Sequence, residues 1–170
     1  MAKISSLFIG RFQPFHRGHI ADVKMIIEKG EFCIIAIAAA NKNGTVENPL
    51  TAQEREKIIL ATLGAQDIDP QSYIIKYVPD IDNDVKWVAH VRECVPAFEK
   101  IYSGSKWTLD LFEKDGKHEV VPLELLRDAQ GRIISATLIR EKILQGDSTR
   151  EYLHPRTEEL LQKFRFTQRL

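Results

Sequence analysis

Apolar residues recur along the chain in two alternating rhythms. Ile4 to Ile9 is a short apolar run closed by Gly10, which predicts a strand. Gly18 to Lys29 carries Ile20, Val23, Ile26 and Ile27 at helical spacing. Phe32 to Ala38 is continuously apolar, as suits a strand buried on both faces. Thr51 and Glu54 have capping-box spacing and open a helix through Ile58, Ile59 and Leu63 that stops near Gly64. Tyr73 to Val78 reads as a strand, and Val85 to Val95 as a helix through Val88 and Val91. Lys100 to Tyr102 predicts a short strand, Leu109 to Lys114 one or two helical turns, and Glu119 to Leu123 a fifth strand. Ser135 to Gln145 is helical through Leu138, Ile139, Ile143 and Leu144, and a last helix begins after Pro155. Such β-α units predict an α/β fold, a parallel sheet with helices on both faces and ligands at the carboxyl ends of its strands. With no repeat or linker, residues 1–170 read as one domain, of which 146–170 form a C-terminal helical extension.

Composition narrows the partners. Among 170 residues, 24 Lys and Arg balance 24 Asp and Glu, so the net charge is zero. At 44% apolar and 28% charged, the chain has the balance of a folded globule. Zero charge argues against a general nucleic-acid binder and against a polybasic membrane-surface protein. Two distant cysteines, Cys33 and Cys94, argue against a disulfide scaffold or a cysteine zinc site. The apolar run Leu7-Phe8-Ile9 is too short for an export signal or a span, so a reducing cytoplasm is expected.

The densest chemistry follows the first strand, in Gly10-Arg11-Phe12-Gln13-Pro14-Phe15-His16-Arg17-Gly18-His19. It is neither a G-x-G-x-x-G fingerprint nor a Walker A loop. His16 and His19 share a face of the first helical turn, and Gly18 permits close approach to a ligand. Free N–H groups of a helix start favour phosphate, and Arg11 adds a planar cation. Each residue alone has an ordinary reading as a cap, a surface charge or a packing ring. Two His, two Arg and two Gly within ten residues at a βα junction point to phosphate binding instead.

His16-Arg17-Gly18-His19 matches the H-x-G-H signature of the nucleotidyltransferase superfamily. The longer string resembles the nicotinamide-nucleotide adenylyltransferases of the archaeal type. Ser135-Ala136-Thr137-Leu138-Ile139-Arg140 resembles that superfamily's late Ser-Gly-Thr-x-Ile-Arg stretch. Asn48-Pro49-Leu50-Thr51-Ala52-Gln53-Glu54-Arg55, Val78-Pro79-Asp80-Ile81 with Trp87-Val88, and Tyr102-Ser103-Gly104 resemble its middle segments, in family order. The resemblance implies a Rossmann-like fold of nucleotidyltransferase type. It also implies transfer of the adenylyl group of ATP to nicotinamide mononucleotide, giving NAD and pyrophosphate.

A phosphate oxygen is already a nucleophile at neutral pH, so such a site needs donors rather than a base. The resemblance implies that His16, His19, Arg11 and Arg140 carry the catalysis, His19 foremost. Gly10, Phe12, Gly18, Ser135 and Thr137 complete the ATP site, although Ser135 has a competing reading as a helix cap. Arg11, Arg17 and Arg140 are all expected near the phosphates. Asn41, Asp80, Asp84 and Trp87 are expected around the nicotinamide nucleotide, with Trp87 as a stacking face whose ordinary alternative is core packing. Mg²⁺ is expected on the phosphates without protein ligands. Asp80 to Asp84 is no calcium loop, because Val85 and Val91 stand where Gly and Glu are required.

The chain departs from the family pattern at Ala136, Asp84, Asn41, Ala39 and Glu47. These put the second substrate in more question than ATP, and Asp80 and Asp84 would repel a nicotinate carboxylate. Two rivals follow: a sister enzyme using phosphopantetheine, FMN or glycerol phosphate, and a nucleotide sensor without turnover. Asn41 to Pro49 is polar, holds Gly44, and reads as a mobile loop and candidate lid. His90, His118 and His154 read as surface or packing residues, and Lys163, Arg165 and Arg169 as a solvated helix face or a subunit contact. The resemblance implies a homo-oligomer, often a hexamer.

Overall fold

The computed structural model describes residues 3–170. Five parallel strands form one sheet: β1 (Ser5–Gly10), β2 (Phe32–Ala38), β3 (Tyr73–Val78), β4 (Lys100–Ser103) and β5 (Glu119–Pro122). Their spatial order is β3-β2-β1-β4-β5. The chain winds outward from β1 to β3 and then returns to place β4 on the other side of β1. A sheet of this kind opens a crevice where the winding reverses, above the carboxyl ends of β1 and β4. Helices α1 (Arg17–Glu28), α2 (Ala52–Gly64), α3 (Asp84–Cys94), α4 (Lys106–Asp115), α5 (Ala136–Leu144) and α6 (Pro155–Lys163) cover it.

Alternation along the central strands sorts side chains between two cores. Phe8 of β1 and Cys33, Ile35 and Ile37 of β2 face one core, shared with α1, α2, α5 and α6. Leu7 and Ile9, with Ile34 and Ala36, face the other, shared with α3 and α4. Both faces are apolar, which explains why β2 reads as an unbroken apolar run. At the amino ends of the strands, Glu31 accepts from Ser6 (2.5 Å), Lys100 (3.1 Å) and Tyr102 (3.1 Å). Burial pushes the Glu31 carboxyl up, but these three donors outweigh it and hold it below its ordinary value.

Most element boundaries match the periodicity. The exception is α4, which begins three residues before Leu109 because the Ser105 hydroxyl caps it, accepting from Thr108 N (3.3 Å). Residues 146–170 pack onto the first core through Tyr152, Leu153, Leu161 and Phe166. Buried Thr157 meets Thr62 of α2 at 2.9 Å. Arg169 is not on a solvated face: its guanidinium holds Glu54 in two bonds (2.7 and 2.9 Å) and Pro49 O (3.1 Å). His154 caps α6, and His118 stacks on Phe98 at 4.3 Å.

Candidate active site

Where β1 ends, the chain must leave the sheet and enter α1 within a few residues, and its side chains are packed to allow this. Phe12 adopts a left-handed backbone (φ 52°), and its ring lies under Gly10. A Cβ at Gly10 would stand 2.9 Å from that ring, so glycine is required there by packing. Phe12 itself is 2% exposed and meets the His19 ring edge-on at 4.9 Å. Phe12, an expected ATP contact, thus backs His19 and also lines the smaller of the two cavities at this site. The Gln13–Pro14 bond is cis.

His16 is the N-cap of α1, and its backbone N–H donates to His19 Nδ1 (3.2 Å). With Nδ1 accepting, a neutral His19 carries its proton on Nε2, the atom available to a ligand. The two rings stack at 3.6 Å. Burial lowers the His16 imidazole to about 3, and burial followed by repulsion from His16 holds His19 well below its ordinary value. The His16 Nδ1 atom is buried without a protein partner. Gly18 sits close against His16, since a Cβ there would come within 3.0 Å of the His16 ring and press on it.

The late motif opens α5. The Ser135 hydroxyl accepts from Leu138 N (3.2 Å) and so caps the helix. Arg140, 9% exposed, reaches from α5 to Gln13 O (2.8 Å) and to the Thr137 hydroxyl (3.4 Å). Burial and then the nearby Arg11 charge lower its guanidinium from the ordinary arginine value. Two cations drawn together this way repel one another until an anion lies between them. Arg17 does not join them: its Nε donates to Arg150 O (3.3 Å).

Two cavities meet here. One, of about 320 Å³, runs past His16, Gly18, His19, Ser135, Thr137 and Arg140 to an apolar wall of Leu123, Leu125, Leu126, Ile133 and Ile134. The other, of about 560 Å³, is lined by Asp80, Asp82, Asp84, Trp87 and Trp107. Ile9, Gly10, Arg11 and Ser105 line both, so Arg11 stands at their junction. Cations and imidazoles, with Asp22 as the one carboxyl beside them, thus occupy one end, and three carboxylates with two indoles the other.

Trp87 is 4% exposed and belongs to the second core, yet it also lines the larger cavity. Its partner is Trp107, 46% exposed, with ring centroids 4.8 Å apart. Trp107 escaped the sequence reading because the start of α4 has no apolar periodicity; only Ser105 as a cap signals it. Asn41 does not line either cavity. Its side-chain amide donates to Asp80 O (3.1 Å) and accepts from Asp80 N (2.7 Å). Lys42 pairs with the Asp80 carboxylate. The segment after β2 is thereby tied at one end to the segment after β3. At its other end, Gln13 exchanges two bonds with Leu50, both 2.9 Å.

A second residue beyond the sequence reading is Arg55, fully buried on α2. It donates to Arg11 O (2.8 Å), Ala38 O (2.7 Å), Ala39 O (3.1 Å) and Thr51 O (3.2 Å). It faces carbonyls rather than a carboxylate, and burial lowers it to about 10. These bonds fix the turns after β1 and β2, and hence the main chain of Arg11.

Comparison with known proteins gives the family of the chain. The cytidylyltransferase-like family model matches residues 7–142. The chain belongs to this family. Its relatives include nicotinamide-nucleotide adenylyltransferases of Ignicoccus hospitalis, 38% identical over 89% of this chain and 86% of that one, and of Pyrococcus horikoshii, 31% identical over 98% and 87%. A crystal structure of a bifunctional NMN adenylyltransferase/ADP ribose pyrophosphatase from Francisella tularensis superposes with a TM-score of 0.81 at 24% identity. It covers 99% of this chain, which spans 51% of that one, and the likeness is one of fold. The same protein complexed with AMP and Mn ion gives 0.78 at 25% identity. Within its family the chain therefore sits with the nicotinamide-nucleotide adenylyltransferases.

Proposed function

We propose that the protein transfers the adenylyl group of ATP to nicotinamide mononucleotide, releasing pyrophosphate and forming NAD. The observation that carries this reading is the pair of cavities joined at Arg11, phosphate donors on one side and an acidic aromatic cleft on the other. Adenosine takes the smaller cavity, whose apolar wall suits a base. The nicotinamide takes the larger, where indole faces and carboxylates suit its cationic ring and disfavour a nicotinate carboxylate. Both phosphate groups then meet at the junction.

A phosphate oxygen of the mononucleotide attacks the α-phosphorus of ATP. The new P–O–P bond forms as the bond to the β-phosphate breaks. Neutral His19, with its proton on Nε2, donates toward charge building on the α-phosphate. Arg140, Thr137 and the free N–H groups of α5 hold the departing pyrophosphate, and Arg11 offsets the repulsion between the two anions. These groups position and stabilise; no side chain is asked to act as a base.

A divalent cation, Mg²⁺ in this reading, travels with ATP. The donors at the phosphate end are guanidinium and imidazole groups, and no metal-ligating cluster exists among the described residues. Phosphate oxygens and water would therefore hold the ion, where it supplies charge neutralisation. We also place the protein in the cytoplasm, as a homo-oligomer.

An acceptor panel tests this reading. With ATP and Mg²⁺, nicotinamide mononucleotide should react at least tenfold faster than nicotinate mononucleotide. Phosphopantetheine, FMN and glycerol phosphate should not react. Turnover of one of these with none of either mononucleotide contradicts the reading.

A further inference from the structure

Asp22 lies on α1, three residues after His19 and four after Gly18, on the face that lines the smaller cavity. One helical turn carries it about 5 Å beyond His19 along α1. Its carboxyl is half-buried and has neither a hydrogen bond nor an ion pair among the described residues. Two serine hydroxyls of that region already accept main-chain N–H groups. The Ser103 hydroxyl accepts from Ser105 N (3.1 Å) and the Ser105 hydroxyl from Thr108 N. A flat base lying against Leu123, Leu125, Leu126 and Ile133 still brings a polar edge that needs partners.

We propose that Asp22 is a specificity-determining residue that reads the amino-bearing edge of the adenine of ATP as a neutral acid. Its hydroxyl donates to a ring nitrogen and its carbonyl oxygen accepts from the exocyclic amine. Burial supports the neutral form, pushing the carboxyl up to about 7. Facing groups do not oppose it. His16 at the cap of α1 and His19 on it are disfavoured as cations, burial pushes the Cys33 thiol on β2 up and so keeps it neutral, and Arg11 and Arg140 stand at the phosphate end. The inference rests on the smaller cavity being the adenosine site.

The test is direct binding of triphosphates to the whole protein by calorimetry, without any acceptor. ATP is compared with purine riboside triphosphate, which lacks the amine. The wild type should favour ATP about tenfold, and its affinity should fall as pH rises through 7. Asp22→Asn, which keeps a donor and an acceptor but does not titrate, should keep the preference and lose that fall. The phosphates' own titration is common to both proteins and cancels. Asp22→Leu, whose melting temperature reports that it folds, should bind both triphosphates alike. Equal affinity of the wild type for the two ligands, or an unchanged preference in Asp22→Leu, overturns the proposal while leaving the adenylyltransferase reading intact. No ATP binding by the wild type overturns both.

Discussion

His16 and His19 show how burial prepares a residue for anions. Burial, and for His19 also repulsion from His16, disfavours a charge on either of the two stacked imidazoles. The folded values lie below the unfolded value of 6.5, so the unfolded chain binds more protons below that pH. Their contribution to stability is complete above pH 6.5 and is lost as pH falls toward 3. Urea unfolding between pH 4 and pH 7 should therefore show a steeper loss in wild type than in His16→Asn; parallel curves contradict it. At the chemical step, His19→Ala should lower kcat by about 10²–10³-fold, with a melting temperature within a few degrees of wild type. Equal losses of both would make His19 structural. That these two rings share one face was legible from their spacing. That Phe12 backs His19, that Asn41 clasps Asp80 and that Arg17 turns to Arg150 were not, because each depends on a partner distant in sequence.

At the level of elements, the site is held by fastenings between segment ends. Arg55 is the tightest, one guanidinium facing carbonyls after β1, after β2 and at the start of α2. Arg55→Met should leave these carbonyls without a donor and cost about 2–4 kcal/mol in urea unfolding, with a larger proportional loss of activity as Arg11 shifts. A variant that loses neither would show that the turns hold without it. Ser135 makes a weaker demand. Ser135→Ala should cost about 1 kcal/mol, and Ser135→Asn should recover it if capping is the hydroxyl's task; no recovery would assign the hydroxyl to phosphate. Strands and helices were readable because each buries a periodic apolar face, as β2 does on both sides. The start of α4 was not readable, since Ser105, Lys106 and Trp107 carry no such period, and Trp107 was missed with it. Arg55 stands in the motif that begins at Asn48, but its task was hidden, because a buried arginine satisfied by main-chain carbonyls shows its role only through its partners.

Across the whole molecule, a chain with balanced charge has placed its charges unevenly. Arg11 and Arg140 gather where the sheet reverses its winding, and Asp80, Asp82 and Asp84 line the far end of the adjoining cavity. Net charge could not show this, since it averages over a fold that brings Gly10, Ser105 and Arg140 together. Leu125, Leu126 and Ile133 remain 39–43% exposed beside the smaller cavity. If that patch pairs copies of the chain, light scattering of the purified protein will give a mass above 19.5 kDa, and Leu126→Glu will lower it; a monomer in both cases contradicts homo-oligomerisation. The most direct measurement is product analysis of the wild type with ATP, Mg²⁺ and nicotinamide mononucleotide. NAD and pyrophosphate should appear in equal amounts, and omission of the mononucleotide should abolish both. ATP binding without NAD formation would contradict the central claim that the joined cavities bring two nucleotides to reaction.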